Sequence, residues 1–304
     1  MIEVLRHLLG DAPDATPIAD VPSWWARHRA SVEGRTTPAA RAFAGGFAAD
    51  RLGYAFASGY TEALSSLVPV LEGHRAALCA TEAGKSHPRA IETSLRRDGE
   101  GWVLNGEKSF VTLAEYAEEL LVVASLGLDD HERNRLRVVR IPSDREGVRL
   151  EPAPPTRFVP EIPHARLVLT DVAVSDAEVL QGDGYDDYLK PFRTVEDLHV
   201  GAAVVGHLMR VARLFDLGAP YLGELAELTV SMFSLALADP RDSALHVALA
   251  GAWGRLQGAV DTLDLDRLDE EARRRLERDR ALFDVASKAR GRRLAVAWTR
   301  LGHL

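Results

Sequence analysis

Residues 96–112 read RRDGEGWVLNGEKSFVT. Two dipeptides in this stretch, Asp98-Gly99 and Asn105-Gly106, supply residues that tolerate positive φ, and a run of strand formers lies around them. Both read as tight hairpin turns. The same texture continues on either side. AIETSLRR (90–97), ELLVVASL (119–126), RLRVVRI (135–141), GVRLEP (147–152) and ARLVLTDVAV (165–174) are short and β-branched, with turn residues such as Pro142, Asp144 and Gly147 between them. The spacing predicts a β domain of six to eight strands over residues 77–184.

Outside that span the period changes. Residues 37–71, TPAARAFAGGFAADRLGYAFASGYTEALSSLVPVL, place Ala, Phe, Leu and Tyr three and four apart, interrupted by Gly45-Gly46 and Gly59, as closely packed helices do. Trp24-Trp25 and nearby prolines suggest a short, irregular helical lead-in. Beyond LQGDGYDDYLK (180–190), Leu198, Ala202, Val205, Met209 and Ala212 share one face of a first helix, and further helices are expected over 220–237 and 244–263. The last is expected to run unbroken over 270–301, opened by the acidic LDEEARR. The chain is thus divided into a helical region (1–76), a β domain (77–184) and a helical bundle (185–304).

Composition narrows the function classes. With 304 residues, 46% hydrophobic and 27% charged, a net charge of −8 and a pI near 5.7, the chain has globular values and lacks the basic surplus of a generic nucleic-acid binder. No apolar run reaches the roughly 20 residues that span a bilayer, and the N-terminus lacks a signal-type pattern, so a cytoplasmic protein is expected. The single cysteine, Cys79, excludes an internal disulfide framework, and the ten histidines show no metal-ligand spacing.

The order helices, β domain, helices, together with CATEAGKSHPRAIETSLRRDGEGWVLNGEKSFVTLAEYAEELLVVA (79–124) and ARLVLTDVAVSDAEVLQGDG (165–184), resembles the acyl-CoA dehydrogenase family. In that family a "TEPGAGSD"-like strand end precedes "RRDGDGWVLNGEKTFIT" and an "LVVA" strand. The resemblance implies an α+β fold with a helical N-terminal region, a central antiparallel β domain and a C-terminal four-helix bundle. It also implies FAD, an acyl thioester substrate on CoA or a carrier protein, α,β-dehydrogenation, an electron-transfer acceptor, and a homo- or hetero-oligomer. By match of position, Leu78, Ala80 and Thr81 contact the flavin on one side, and Phe110, Val111 and Thr112 on the other. Ser86 lies near the substrate. RTVEDLHVGAAVVG (193–206) puts Glu196 where isovaleryl- and long-chain-type members carry the catalytic base. A first-turn glutamate equally suits a helix N-terminus.

The chain also departs from the pattern. Its TEAGKSH turn is a residue shorter and carries Lys85 and His87, and Asp197 stands where arginine is usual. RLFDLGAPYLGELAELTV (213–230) replaces the family's "R..FG.P", leaving Arg213 as its remnant, and the "GG.GY" loop has no counterpart before the closing AWTRLGHL. A shortened, divergent member is the expectation. Two alternatives stay open beside the flavoenzyme: a non-catalytic subunit that pairs with a complete relative, and an acyl-thioester binding protein without redox chemistry.

Overall fold

A computed structural model describes residues 1–84 and 88–302. The chain forms two compact units: a helical one made of Met1–Ser66, Thr156–Glu161 and Thr194–Leu304, and a β unit made of Leu67–Pro155 and Ile162–Arg193.

The helical unit begins with α1 (Ile2–Gly10), α2 (Val21–Val32), α3 (Pro38–Ala48) and α4 (Leu52–Leu67). Local chemistry sets their starts: Asp20 accepts from the Ser23 N–H and Thr37 from the Ala40 N–H, each followed by a proline in the first turn. After the β unit come α5 (Lys190–Leu214), α6 (Ala219–Leu235), α7 (Ser243–Asp261), α8 (Glu270–Asp279) and α9 (Ser287–Arg300). Helices from both ends of the chain share one apolar core, in which Val4, Leu8, Phe43 and Phe47 pack with Val204, Leu208, Leu249 and Leu276. The contact between α3 and α5 depends on missing side chains. A Cβ at Gly46 would stand 1.9 Å from the Ala203 carbonyl oxygen, and one at Gly206 would stand 2.2 Å from that of Phe43.

One set of buried polar and charged groups in this unit is mutually partnered. The Glu62 carboxylate accepts from Arg41 Nε at 2.6 Å and lies 3.2 Å from His28 Nε2, while Ser58 Oγ meets Trp24 Nε1 and His28 Nδ1, both at 3.1 Å. All five side chains are buried, so the cluster ties α2, α3 and α4 together and is closed to substrate.

The expected single helix over residues 270–301 is broken. α8 ends at Asp279, a short 3₁₀ turn covers Arg280–Asp284, and α9 follows. Asp279 is fully buried and accepts from the Val159 N–H at 2.7 Å and from Arg278, so the chain leaves the helix where a carboxylate is committed inward. The lead-in is more regular than expected, comprising the full helices α1 and α2.

The β unit holds seven strands among the described residues: β1 (Ala76–Cys79), β2 (Ser94–Asp98), β3 (Gly101–Thr112), β4 (Glu119–Leu128), β5 (Asn134–Pro142), β6 (Val148–Pro152) and β7 (His164–Val174). Their order is β1-β4-β2-β3-β7-β6, with β5 on β4. Pairing is antiparallel except where β4 meets β1 and, through Ser94 and Ser125, β2. Leu95, Leu104, Leu120, Val122, Val139, Leu167 and Val172 fill its core.

Only one of the two expected hairpin turns is a turn. Asp98 pairs with Gly101 across a two-residue loop in which Gly99 has φ 56°. Asn105-Gly106 instead lies inside β3 as a bulge, marked by a register shift against β7 between Leu104 and Gly106. Two features hold it there. Gly106, at φ 146°, lets the backbone pass Thr93, whose Cα would be 2.6 Å from an added Cβ. The Asn105 amide exchanges hydrogen bonds with Asp171 on β7, donating to its carboxylate at 3.0 Å and accepting from its N–H at 2.8 Å.

Candidate functional site

The second irregularity of β3 builds the site. Between Lys108 and Val111 the register against β7 shifts again, and the Ser109 N–H turns away to donate to the Thr81 carbonyl at 2.8 Å. This one bond joins the two words singled out in the sequence. Phe110 sits on the bulge at φ 53°, a left-handed conformation that costs a non-glycine residue on the order of 1 kcal/mol or more, and its ring is 68% exposed. Leu113, three residues on, is also left-handed (φ 59°) and is fixed by donating its N–H to the Pro163 carbonyl at 2.9 Å.

Around Phe110 the expected residues divide by strand alternation. Thr112 is half-buried and pairs with His164, whose ring meets that of Phe110 edge-on at 5.7 Å. Burial lowers the His164 pKa, a backbone hydrogen bond at Ile162 opposing it in part, so the imidazole is a neutral neighbour. Thr81 is exposed beside the bulge, and Leu78 and Ala80 are half-buried in and just after β1. Val111 turns the other way into the sheet core at 1% exposure, so only its backbone runs along the edge. Ser86, with Lys85 and His87, lies outside the described residues.

Sequence reasoning missed what stiffens this edge. Glu82, adjacent to Thr81, is buried and accepts from Lys108 Nζ (2.9 Å), Thr93 N–H (2.9 Å), Thr93 Oγ1 (2.7 Å) and Glu92 N–H (2.9 Å). Burial alone would raise its pKa. Two backbone N–H donors, the Lys108 ammonium and the Thr93 hydroxyl reverse this and bring it down to about 2. The Lys108 side chain is fully enclosed. The signal was present in the words "TE" and "NGEK", but a buried lysine runs against residue preference and only the fold reveals it.

In the helical unit, Glu196 is half-buried in the second turn of α5, six residues past Lys190, and so is not the first-turn charge that the sequence suggested. Its neighbour Asp197 is buried and ion-paired to Arg290 at 3.2 Å and to Arg293. Burial pushes the Asp197 pKa up against the pull of both arginines. Arg290 also lies 4.3 Å over the Trp253 ring and donates to the Phe283 carbonyl at 2.6 Å. The aspartate in place of the usual arginine therefore anchors α9 to α5. Arg213 is engaged at the end of α1, donating to the carbonyls of Leu8 at 3.1 Å and of Asp11.

Residues 77–172 match the family model described as acyl-CoA dehydrogenase, middle domain. A probable acyl-CoA dehydrogenase, YngJ of Bacillus subtilis (strain 168), is 26% identical over 181 residues, 57% of this chain and 46% of that protein, so the match spans less than half of that relative's length. Among solved structures, the prolyl acyl carrier protein oxidase AnaB is 18% identical with a TM-score of 0.74, over 99% of this chain and 98% of that one. Butyryl-CoA dehydrogenase from Megasphaera elsdenii is 15% identical with a TM-score of 0.71, over 93% and 90%. Residues 77–172 are thus similar to the middle domain of acyl-CoA dehydrogenases, and the chain shares its fold over nearly its whole length with enzymes of that kind.

Proposed function

We propose that the chain is an FAD-dependent oxidoreductase that introduces an α,β double bond into an acyl thioester, carried on CoA or on a carrier protein. The observation that supports this best is Phe110: an exposed aromatic ring held on a strained bulge between the hydroxyl residues Thr81 and Thr112. Exposing such a ring forgoes a few kcal/mol of burial, and the bulge adds backbone strain. A flat, amphipathic ring system set against that edge would recover both, so the residues present fit a flavin. In this reading Phe110, Leu78 and Ala80 would supply apolar contacts to the isoalloxazine, and the Thr81 and Thr112 hydroxyls would hydrogen-bond its polar atoms. Glu82 and Lys108 keep the two segments at fixed spacing. Bound FAD supplies the hydride acceptor.

The proposal gives Glu196 the complementary step. Its carboxylate takes the proton from Cα of the thioester while the hydride leaves Cβ, and the Cα–Cβ double bond forms. An electron-transfer partner would be the acceptor that reoxidises the cofactor. Exposed Leu237, Val285 and Val296 on the helical unit support an oligomer, whether of this chain alone or with a relative. No helix among the described residues is long and apolar enough to cross a membrane, and a cytoplasmic location is part of the proposal.

The test is direct. Purified protein should be yellow and should bleach anaerobically with one of a panel of acyl thioesters. Glu196→Gln should keep the colour and lower the bleaching rate by about a hundredfold or more. Colourless protein that takes up no FAD would overturn the flavin reading and favour the non-catalytic subunit or thioester-binding alternatives; unchanged bleaching would remove Glu196 from the mechanism.

A further inference from the structure

A cavity of about 400 Å³ lies within the helical unit, bounded by the loop at Ala15 and Pro17, the α3–α4 junction, the C-terminal half of α5 and the first turns of α8. Its volume is in the range of small-molecule sites. One wall is apolar, made by Val211 and Leu214 of α5, Phe215 just after it, and Leu276 of α8. The other carries charge that is unevenly partnered.

Each carboxylate on the wall is committed. Asp50 binds Arg51 at 2.7 Å and the Ile18 N–H at 3.0 Å, Glu271 binds Arg275, and Asp269 caps α8 through the Ala272 N–H at 2.7 Å. Arg210 is the remainder. It is 5% exposed, donates to the Asp14 carbonyl at 2.6 Å, and has no carboxylate within ion-pair distance among the described residues. Its Nε is buried without a hydrogen-bond partner. Beside it, one turn earlier on α5, His207 bonds the Ala49 carbonyl through Nδ1, so that nitrogen holds a proton, and burial lowers the pKa of the ring to about 4, which leaves it neutral at pH 7. The imidazole therefore supplies no second cation. Asp50 and Asp14 act on this guanidinium only from beyond ion-pair distance, so its burial is incompletely compensated, and an anion entering the cavity supplies the close partner it lacks.

We propose that this cavity binds a small organic monocarboxylate, its carboxylate on Arg210 and its hydrocarbon body against Val211, Leu214, Phe215 and Leu276. The site lies wholly within the helical unit and does not depend on the flavin reading. A bare phosphate would leave the apolar wall unused, and a neutral alcohol would leave Arg210 unpaired. A free acid with a short chain satisfies both.

Isothermal titration of the full chain with octanoate tests this, with 1-octanol as the uncharged control. Wild type should bind octanoate at least tenfold more tightly than 1-octanol, the scale of a hydrogen bond to a charged group. Arg210→Met should weaken octanoate binding by about tenfold or more and leave 1-octanol unchanged, and Ala272→Phe, which fills the cavity from α8, should abolish both. Arg210→Lys, which keeps the charge, should retain part of the affinity and decides the matter should the methionine variant not fold. Absence of octanoate binding to wild type, equal affinity for the alcohol, or binding that survives Ala272→Phe would each overturn the proposal; the last would locate octanoate elsewhere in the chain. Flavin content and bleaching serve as separate readouts, so loss of either leaves this result unaffected.

Discussion

Replacing Glu82 with glutamine isolates the contribution of the buried pair behind the Phe110 bulge. The folded carboxylate has a pKa of about 2 against an ordinary 4.5, and at about 1.36 kcal/mol per unit that difference amounts to about 3 kcal/mol. The variant removes a carboxylate 2.9 Å from an ammonium with no solvent exposure, a change that elsewhere costs roughly 3–5 kcal/mol, so both routes agree in scale. Because the folded pKa is depressed, the contribution is complete above about pH 4.5 and is lost as pH falls towards 2. Glu82→Gln should therefore be less stable than wild type by about 3 kcal/mol at pH 7 in urea denaturation, and by about half that at pH 3. Hydrogen exchange should locate the loss, with the Ser109 amide, bonded to the Thr81 carbonyl, exchanging faster than amides in β5. A variant within 1 kcal/mol of wild type at pH 7, or a deficit that does not narrow on acidification, would refute the reasoning.

Three further outcomes are expected. His207 is buried with a pKa lowered to about 4 by desolvation and Arg210, so the unfolded chain gains a proton below about 6.5 that the folded chain refuses. Stability should fall by about 3 kcal/mol from this group between pH 7 and pH 4, and His207→Gln should flatten that part of the profile in acid denaturation. Gly46→Val forces a side chain against the Ala203 carbonyl and should cost about 3 kcal/mol or more, read as a lowered thermal midpoint, whereas Gly10→Ala, with open space around it, should not. Phe110→Ala should leave stability within about 1 kcal/mol, since the ring is mostly exposed, yet weaken FAD retention on gel filtration; unchanged retention would remove the ring from the cofactor site.

Much of the fold was legible because its signals are local. Short β-branched runs between turn residues marked β2 to β7, Asp98-Gly99 set the hairpin, and the three- and four-residue period marked α3, α4 and α5. The misreadings have a common cause. Asn105-Gly106 carries the same chemistry whether it closes a hairpin or opens a bulge, and the choice is made by Thr93 and Asp171, far away in sequence. Likewise the break after Asp279 is set by the Val159 N–H, and no helical period reports it. For the site, the words around Thr81 and Phe110 identified the right edge, but the inward turn of Val111 follows from a register shift that residue type does not encode. The Glu82–Lys108 pair remained hidden because a lysine in sequence is by default a surface residue.

The sharing of one core by both ends of the chain governs the order in which the molecule can be made. As the polypeptide leaves the ribosome, α1 to α4 emerge first, with Val4, Leu8, Phe43 and the bare face of Gly46 still lacking α5, α7 and α8 to cover them. The β unit, by contrast, needs nothing beyond residue 193 to pair all seven of its described strands. During synthesis the sheet can close while the earlier helices wait with apolar surface in water, and this interval is where a chaperone would engage a nascent chain of this topology. Slowing translation between α5 and α8 should prolong it, and substitutions at Ala203 or Gly206 should reduce soluble yield before they alter anything measured at the Phe110 edge.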